Sequence, residues 1–443
     1  MPDPEPIPLA RWLGRPVGPE TTLWPPLALA VLYALAMALG AWGFRSGWAG
    51  GLSWADAAFT AVSAVTVTGL STVPLHSALT PAGQALQLGL IQLGGLGLMT
   101  VIVLALRMVG GGPDRAGELL RADLEFSLRD HLARAALRVM IFAALAQGAG
   151  AAIAAVELVP AHGLAGGVGR ALFLAGSAFC NAGFTPFAGS MRDQPALVLA
   201  VTAALFVLGG LGFLVLDDLW KWLRRRRAPK LHSRVVLAGT LVLALLGWAA
   251  IAALEWGNPA TLGAHPPAAR PGLALFQALT PRTAGFDAVG ASGYGPGAEG
   301  VTILLMLVGA GVDSTGGGLK IATAALLVAA GWAALRRQGD HAAAAIRLTP
   351  RGTRRVAILA LATTGLVAGA ALVLQRETGL PYLDTLFEAA SAFGTVGLSA
   401  GVTDAAAGPG RSVLMVLMFL GRIGPLTLAW LLLGRLLARD ASG

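Results

Sequence analysis

The chain has 443 residues, of which 56% are hydrophobic and 12% charged, and its mean hydropathy is +0.70. Residues 57–106 contain no Asp, Glu, Lys or Arg. That excludes a water-soluble enzyme and a disordered chain, because about 20 apolar residues of helix cross a hydrocarbon core of ~30 Å. The formal net charge of +9 is gathered in a few segments rather than spread over a nucleic-acid-binding face. Seven basic residues lie in 221–234, six in 336–355 and six in 107–138. This clustering sets orientation by the positive-inside rule: the basic loops and both termini lie in the cytoplasm of a multi-pass protein of the cell's inner (plasma) membrane.

Residues 1–23 are Pro-rich and lack an apolar core, so they read as a cytoplasmic tail and not a signal peptide. Residues 24–107 form a first unit: a span at 24–44, a short apolar segment at 53–66, an irregular loop at 67–70, and a span at 79–106. Ser53, ahead of Asp56, resembles a helix N-cap. The short segment reaches only part-way across the membrane, as a re-entrant helix. Residues 108–223 repeat the order after a mixed-charge surface helix (107–138). A span covers 139–156, a re-entrant helix 170–180, a loop 181–184 and a span 194–219. Residues 224–337 give 235–254, 271–281, 283–286 and a closing span from Val301. Residues 338–443 give 356–375, 381–393, 395–398 and 411–437. Cys180 is the single cysteine, so no intrachain disulfide is possible.

The loops carry the repeat. They read VTGL, NAGF, TAGF and TVGL, and their glycines, Gly69, Gly183, Gly285 and Gly397, are 114, 102 and 112 residues apart. A second marker follows each: LGGLGL, LGGLGF, VGAGVD and LGRIGP, with Gly94, Gly209, Gly309 and Gly421 at 25, 26, 24 and 24 residues. Two linked markers in four registers are a long-period internal repeat. The expected fold is an all-α membrane protein of four tandem span–re-entrant pore helix–span repeats around a pseudo-fourfold pore, with eight transmembrane helices.

The third unit departs from the others. Its closing span is interrupted by GAGVDSTGGGLK, residues 309–320. Gly309, Gly311, Asp313, Ser314, Thr315, Gly316, Gly317, Gly318 and Lys320 cannot form an ordinary lipid-facing helix, because Gly weakens helices and intramembrane charge is costly. The segment reads as a gate in a pore-lining helix, with a simple helix break packed on a neighbour as the alternative. Arg422 sits at the same register of the last span. Its expected partners are Asp313 or loop carbonyls, or it satisfies a helix broken at Pro425. Arg282 is expected to cap the carbonyl end of its re-entrant helix.

Irregular backbone at membrane depth is tolerated only inside protein or beside water. No loop carries a charged side chain between its first residue and its Leu or Phe. Backbone carbonyls of Val67, Thr68, Gly69, Asn181, Ala182, Gly183, Thr283, Ala284, Gly285, Thr395, Val396 and Gly397 could replace the hydration shell of a monovalent cation. An enzyme is disfavoured, because the six histidines lie at span ends or in loops without metal-ligand spacing. GGLG at Gly94 and Gly209 lies inside apolar spans with no preceding strand and is not a dinucleotide fingerprint. A sodium- or proton-coupled symporter is the rival reading, for which only Asp313 approaches the midplane.

These four loops, with GAGVDSTGGGLK and GRIGPLT, resemble the potassium-transporter superfamily of Trk, Ktr and plant HKT proteins over residues 24 to the C-terminus. Eight spans match the Ktr branch, whereas the bacterial Trk branch adds two. The resemblance implies a homodimer with one pore per subunit, a K⁺ filter lined by the four loop glycines, and a gate at residues 309–320 near Arg422. It implies a cytosolic ring of nucleotide-binding (RCK-type) regulatory subunits. Gly69, where sodium-preferring plant relatives often have serine, implies potassium selectivity. K⁺ is then the transported ion and Na⁺ a candidate activating or coupled ion, with no cofactor in this chain and no nucleic-acid partner. Asp313 is not a recognised feature of that gate. The basic loops could dock the regulator or contact membrane lipid.

Overall fold

The computed structural model describes residues 24–109, 118–226, 228–309, 314 and 350–423. Every element longer than a turn among them is a helix. Twelve helices carry the architecture: α1 (Trp24–Arg45), α2 (Trp54–Thr66), α3 (Pro81–Val109), α4 (Glu118–Phe179), α5 (Ala196–Leu211), α6 (Phe213–Arg225), α7 (Leu231–Glu255), α8 (Arg270–Leu279), α9 (Pro296–Leu307), α10 (Pro350–Thr378), α11 (Tyr382–Gly394) and α12 (Gly408–Ile423). Among the described residues two helical stretches, Leu137–Phe179 and Leu231–Glu255, are long and apolar enough by themselves to cross a membrane, and a third if α5 and α6 count as one bent span.

The arrangement is inside-out relative to a soluble bundle. The short helices lie at the centre: Ala57, Phe59, Ala61 and Ala64 of α2 and Phe387, Ala389, Ala390 and Ala392 of α11 are completely buried. The long helices surround them and turn Leu35, Leu39, Leu145, Val156, Leu241, Leu246 and Leu361 outward, an apolar belt of the size that marks a lipid or protein contact surface. Neighbouring units touch in order: α3 packs on α4, α5 on α7 and α8, α9 on α11, and α12 returns to α1 and α2. Aromatic rings fill the joint between the second and third units, where Phe206 stacks on Phe286 at 6.0 Å and meets Phe276 edge-on at 5.6 Å.

Local chemistry explains the helix ends. Ser53 Oγ accepts the Asp56 N–H at 3.2 Å, so the expected N-cap forms. The helix α4 carries residues 118–138 of the mixed-charge segment unbroken into the span. It reverses only at Gly163 (φ 73, ψ 168), three residues after Pro160; the expected span and re-entrant helix are its two arms. The expected continuous span 194–219 does not form. Gly212 takes φ 89, ψ 150, a region closed to residues with a Cβ, and α6 departs from α5 at 103°.

Candidate functional site

Each central helix stops in the same way. Val67, Asn181, Thr283 and Thr395 have φ of 59, 59, 71 and 50, and the glycines two residues on have φ of 100, 70, 73 and 97. The residue between them has negative φ in every loop. A negative φ between two positive ones belongs to neither an ordinary strand nor an ordinary helix. Hydrogen bonds lock the turn: Thr68, Ala182 and Val396 donate to the carbonyls of Ser63, Ser177 and Ser391 at 2.9, 2.8 and 2.8 Å. In the third loop Ala284 and Gly285 both donate to Thr280 instead.

The four glycines close a ring. A Cβ built on Gly69 would stand 2.5 Å from the Ala182 carbonyl oxygen and 3.1 Å from Gly183 Cα. One on Gly183 would stand 3.1 Å from the Ala284 oxygen. One on Gly285 would overlap the Val396 oxygen, and one on Gly397 the Thr68 oxygen. The order is cyclic, each loop pressing its backbone on the next and the fourth on the first. All twelve loop residues thus come together, with Thr68, Asn181, Ala182, Thr283, Ala284, Thr395 and Val396 completely buried. The Asn181 amide is hydrogen-bonded to Thr283 Oγ1 at 3.2 Å across two loops. The C-terminal, electronegative ends of α2, α4, α8 and α11 face this ring.

The second-marker glycines have a packing reason. A Cβ on Gly94 would overlap the Val65 carbonyl, and one on Gly421 the Phe393 carbonyl. Both carbonyls lie four residues ahead of a ring glycine. The surrounding span must touch the end of the central helix, and only glycine permits that approach. In the second unit the neighbouring Gly210 lies against the loop, 3.1 Å (as an ideal Cβ) from Asn181 Nδ2.

On the side of residues 71–76 the ring opens into a cavity of about 370 Å³, lined by all four glycines together with His76, Arg192, Asp287 and Asp404. Three carboxylates staple the outer loops. Asp56 accepts from Thr72 Oγ1 at 2.7 Å and from Arg411 Nη1 at 3.0 Å, joining the fourth unit to the first. At this outer end of α2 burial pushes the Asp56 carboxyl up. The hydrogen bonds of Ser53 and Thr72 and the charge of Arg411 outweigh it and hold the carboxyl below its usual value. Asp287 accepts from the N–H groups of Val289, Gly290 and Ala291 and from Arg192 Nη2 at 3.1 Å. Glu388, completely buried, takes Ser399, the Ala400 N–H and Thr403.

Ser63 and Ser391 hold the ring in a manner the motif reading passes over. Their hydroxyls accept the Gly69 and Gly397 N–H groups at 3.1 and 3.0 Å. The signal was present as a Ser-Ala pair six residues before the glycine in three of the four loops. Arg282 is not a cap. It is buried, and its side chain makes no hydrogen bond or ion pair among the described residues, so no carbonyl end is satisfied by it. Arg422, buried in α12, donates to the Gly94 carbonyl of the first unit, a partner the sequence reading did not name. Gly309 and Ser314 are buried. Gly311, Asp313, Thr315, Gly316, Gly317, Gly318 and Lys320 lie outside the described residues, as does Pro425.

Residues 48–434 match the TrkH family model, described as a cation transport protein. The chain is 38% identical over 389 residues to Ktr system potassium uptake protein B of Vibrio alginolyticus, covering 86% of this chain and 85% of that protein. It is 37% identical over 385 residues to the protein of that name in Bacillus subtilis (strain 168), covering 85% of each. It is 33% identical over 390 residues to potassium/sodium uptake protein NtpJ of Enterococcus hirae, again covering 85% of each. The crystal structure of the potassium transporter TrkH from Vibrio parahaemolyticus superposes with a TM-score of 0.69 at 20% identity, over 93% of this chain and 85% of that one. With a family match across most of its length and relatives above one-third identity, this chain belongs to the TrkH family of membrane cation transport proteins.

Proposed function

We propose that the chain is the membrane subunit of a Ktr-type potassium uptake system, and that the ring of four loops is its selectivity filter. The observation that carries this is the cyclic contact of Gly69, Gly183, Gly285 and Gly397, each at positive φ, which gathers loop carbonyls from four parts of one chain around one axis. A ring of carbonyl dipoles replaces the water lost by a monovalent cation and lets it leave again. Four inward-pointing helix C-termini add negative potential without a fixed charge. The names of the Vibrio and Bacillus relatives support K⁺ as the ion, and that of the Enterococcus relative supports Na⁺ as a second permeant or coupled ion.

In this reading eight spans and four re-entrant helices surround the pore, the termini and basic loops are cytoplasmic in the inner membrane, and two copies form a homodimer on a cytosolic nucleotide-binding ring. Residues 309–320 gate the pore beneath the filter. Arg422 belongs to the same level, and its bond to the Gly94 carbonyl fixes a buried cation where the first and fourth units meet. K⁺ and Na⁺ uptake by potassium-uptake-deficient cells tests the filter: Gly69→Ser lowers the potassium-to-sodium ratio, and an unchanged ratio in a normally expressed variant removes the assignment. Deleting residues 311–317 raises uptake if the segment is a gate; unchanged or reduced uptake makes it a packed helix break.

A further inference from the structure

Helix α6 belongs neither to the ring nor to the spans around it. Helix α5 has 16 residues, about 24 Å at 1.5 Å per residue, before the chain turns by 103° at Gly212. A helix leaving a span near a right angle lies along the membrane plane. One side of α6 is anchored to the protein: Val215, Leu216 and Leu219 pack against Leu211, Val236 and Leu237. Asp218 accepts from Ser233 Oγ at 2.6 Å and from the Lys230 N–H at 3.4 Å, tying α6 to the first turn of α7.

The other side has no protein against it among the described residues. Trp220 is 53% exposed and Leu223 68%. Trp220 and Leu223 are three residues apart and so share a face. Around this apolar patch stands cationic charge. Residues 217–230 hold six basic and two acidic residues. Both acids are engaged, Asp218 as above and Asp217 by Lys221. The Arg224 guanidinium lies 4.4 Å over the Trp220 ring, and Arg226 is exposed at the end of the helix.

An indole, a leucine and uncompensated arginines on one in-plane helix suit the boundary between headgroups and acyl chains. We propose that α6 is an interfacial anchor. It seats Trp220 and Leu223 in the cytoplasmic leaflet and holds anionic phospholipid headgroups with Arg224 and Arg226. The occupant is anionic because no carboxylate on the helix is left to balance these groups. Cationic segments beside a span draw such lipids. The inference rests on the cytoplasmic placement of the basic loops but not on the identity of the permeant ion. Helix α5 connects the anchor to the ring through Gly210, beside Asn181.

The test uses the full-length protein in vesicles of phosphatidylcholine, with and without phosphatidylglycerol. A nitroxide is placed at Leu223→Cys; unlabelled protein controls for Cys180, which is buried. The expected result is a label that collides with oxygen in preference to a water-soluble nickel chelate, more so with phosphatidylglycerol present. A label open to the chelate in both mixtures overturns the proposal. So does one shielded only when a cytosolic protein is added, which would make the patch a protein-docking surface. Mass spectrometry of purified protein needs no label: phosphatidylglycerol should be retained over phosphatidylcholine, and R224Q/R226Q should lower that preference several-fold. Equal retention in wild type overturns it. Neither readout involves ion flux, so the anchor and the filter fail separately.

Discussion

The four ring glycines are not equivalent, and the difference predicts which tolerates alanine. Gly183 has φ of 70, near the left-handed minimum of ~57°. Its added Cβ would stand 3.1 Å from the Ala284 oxygen and 3.2 Å from Gly285 Cα. A shift of a few tenths of an ångström relieves that, and the left-handed conformation costs an L-residue ~1–2 kcal/mol. Gly397 has φ of 97, well off that minimum, where strain is of order 1–3 kcal/mol. Its Cβ would overlap the Thr68 carbonyl oxygen and stand 3.0 Å from Gly69 Cα. Only a displaced ring carbonyl makes room. At ~1.4 kcal/mol per factor of ten, Gly183→Ala should lower the potassium-to-sodium uptake ratio by about tenfold or less. Gly397→Ala should bring that ratio near unity or abolish growth at low potassium. Rubidium and sodium uptake in potassium-uptake-deficient cells, normalised to protein in the membrane, measures both. The reasoning fails if, at equal abundance, Gly183→Ala is as unselective as Gly397→Ala, or if Gly397→Ala keeps the wild-type ratio.

Ser63→Ala and Ser391→Ala each remove the acceptor for a ring glycine N–H, a loss of about 1 kcal/mol that should lower the uptake ratio about fivefold. Ser177→Ala, whose hydroxyl has no partner among the described residues, should match wild type in the same assay. Arg411→Ala breaks the bond to Asp56, and thermal unfolding in detergent should begin at a lower temperature. Because the folded protein holds the Asp56 carboxyl below its usual value, its contribution is present above the ordinary carboxylate range and is lost as pH falls through the folded value. Asp56→Asn should therefore destabilise the protein at pH 7, with the gap to wild type closing below pH 4. Gly94→Ala and Gly421→Ala place a Cβ on a central-helix carbonyl and should abolish folded protein in a size-exclusion assay; a monodisperse Gly94→Ala protein would contradict the packing.

The glycine loops and their second markers were legible in sequence because one residue type meets two demands there: positive φ in the loop and backbone contact from the span. The central helices were legible for a related reason, being mostly apolar yet too short to cross the membrane. The bend at Gly212 was not. LGGLGF reads identically to the straight LGGLGL of the first unit for five residues, and only the following Asp217 and Asp218, bonded to Lys221 and Ser233, distinguish them. Arg411 and Asp56 are 355 residues apart, and Arg422 bonds a carbonyl of the first unit. Neither contact leaves a local pattern. Arg282 looked like a cap from its place beside a helix end, but the side chain is buried away from hydrogen-bonding groups among the described residues.

Because the fourth loop presses on the first, a ribosome must reach the fourth unit before the circle can shut. Until residues 395–411 have entered the bilayer, Thr68 and Gly69 lack the neighbour that covers them and Asp56 lacks its arginine. Contacts between distant parts of a chain are slow to form. A nascent chain carrying three quarters of the circle is therefore an obligatory stage of biogenesis, and the stage at which quality-control proteases would find unshielded main chain.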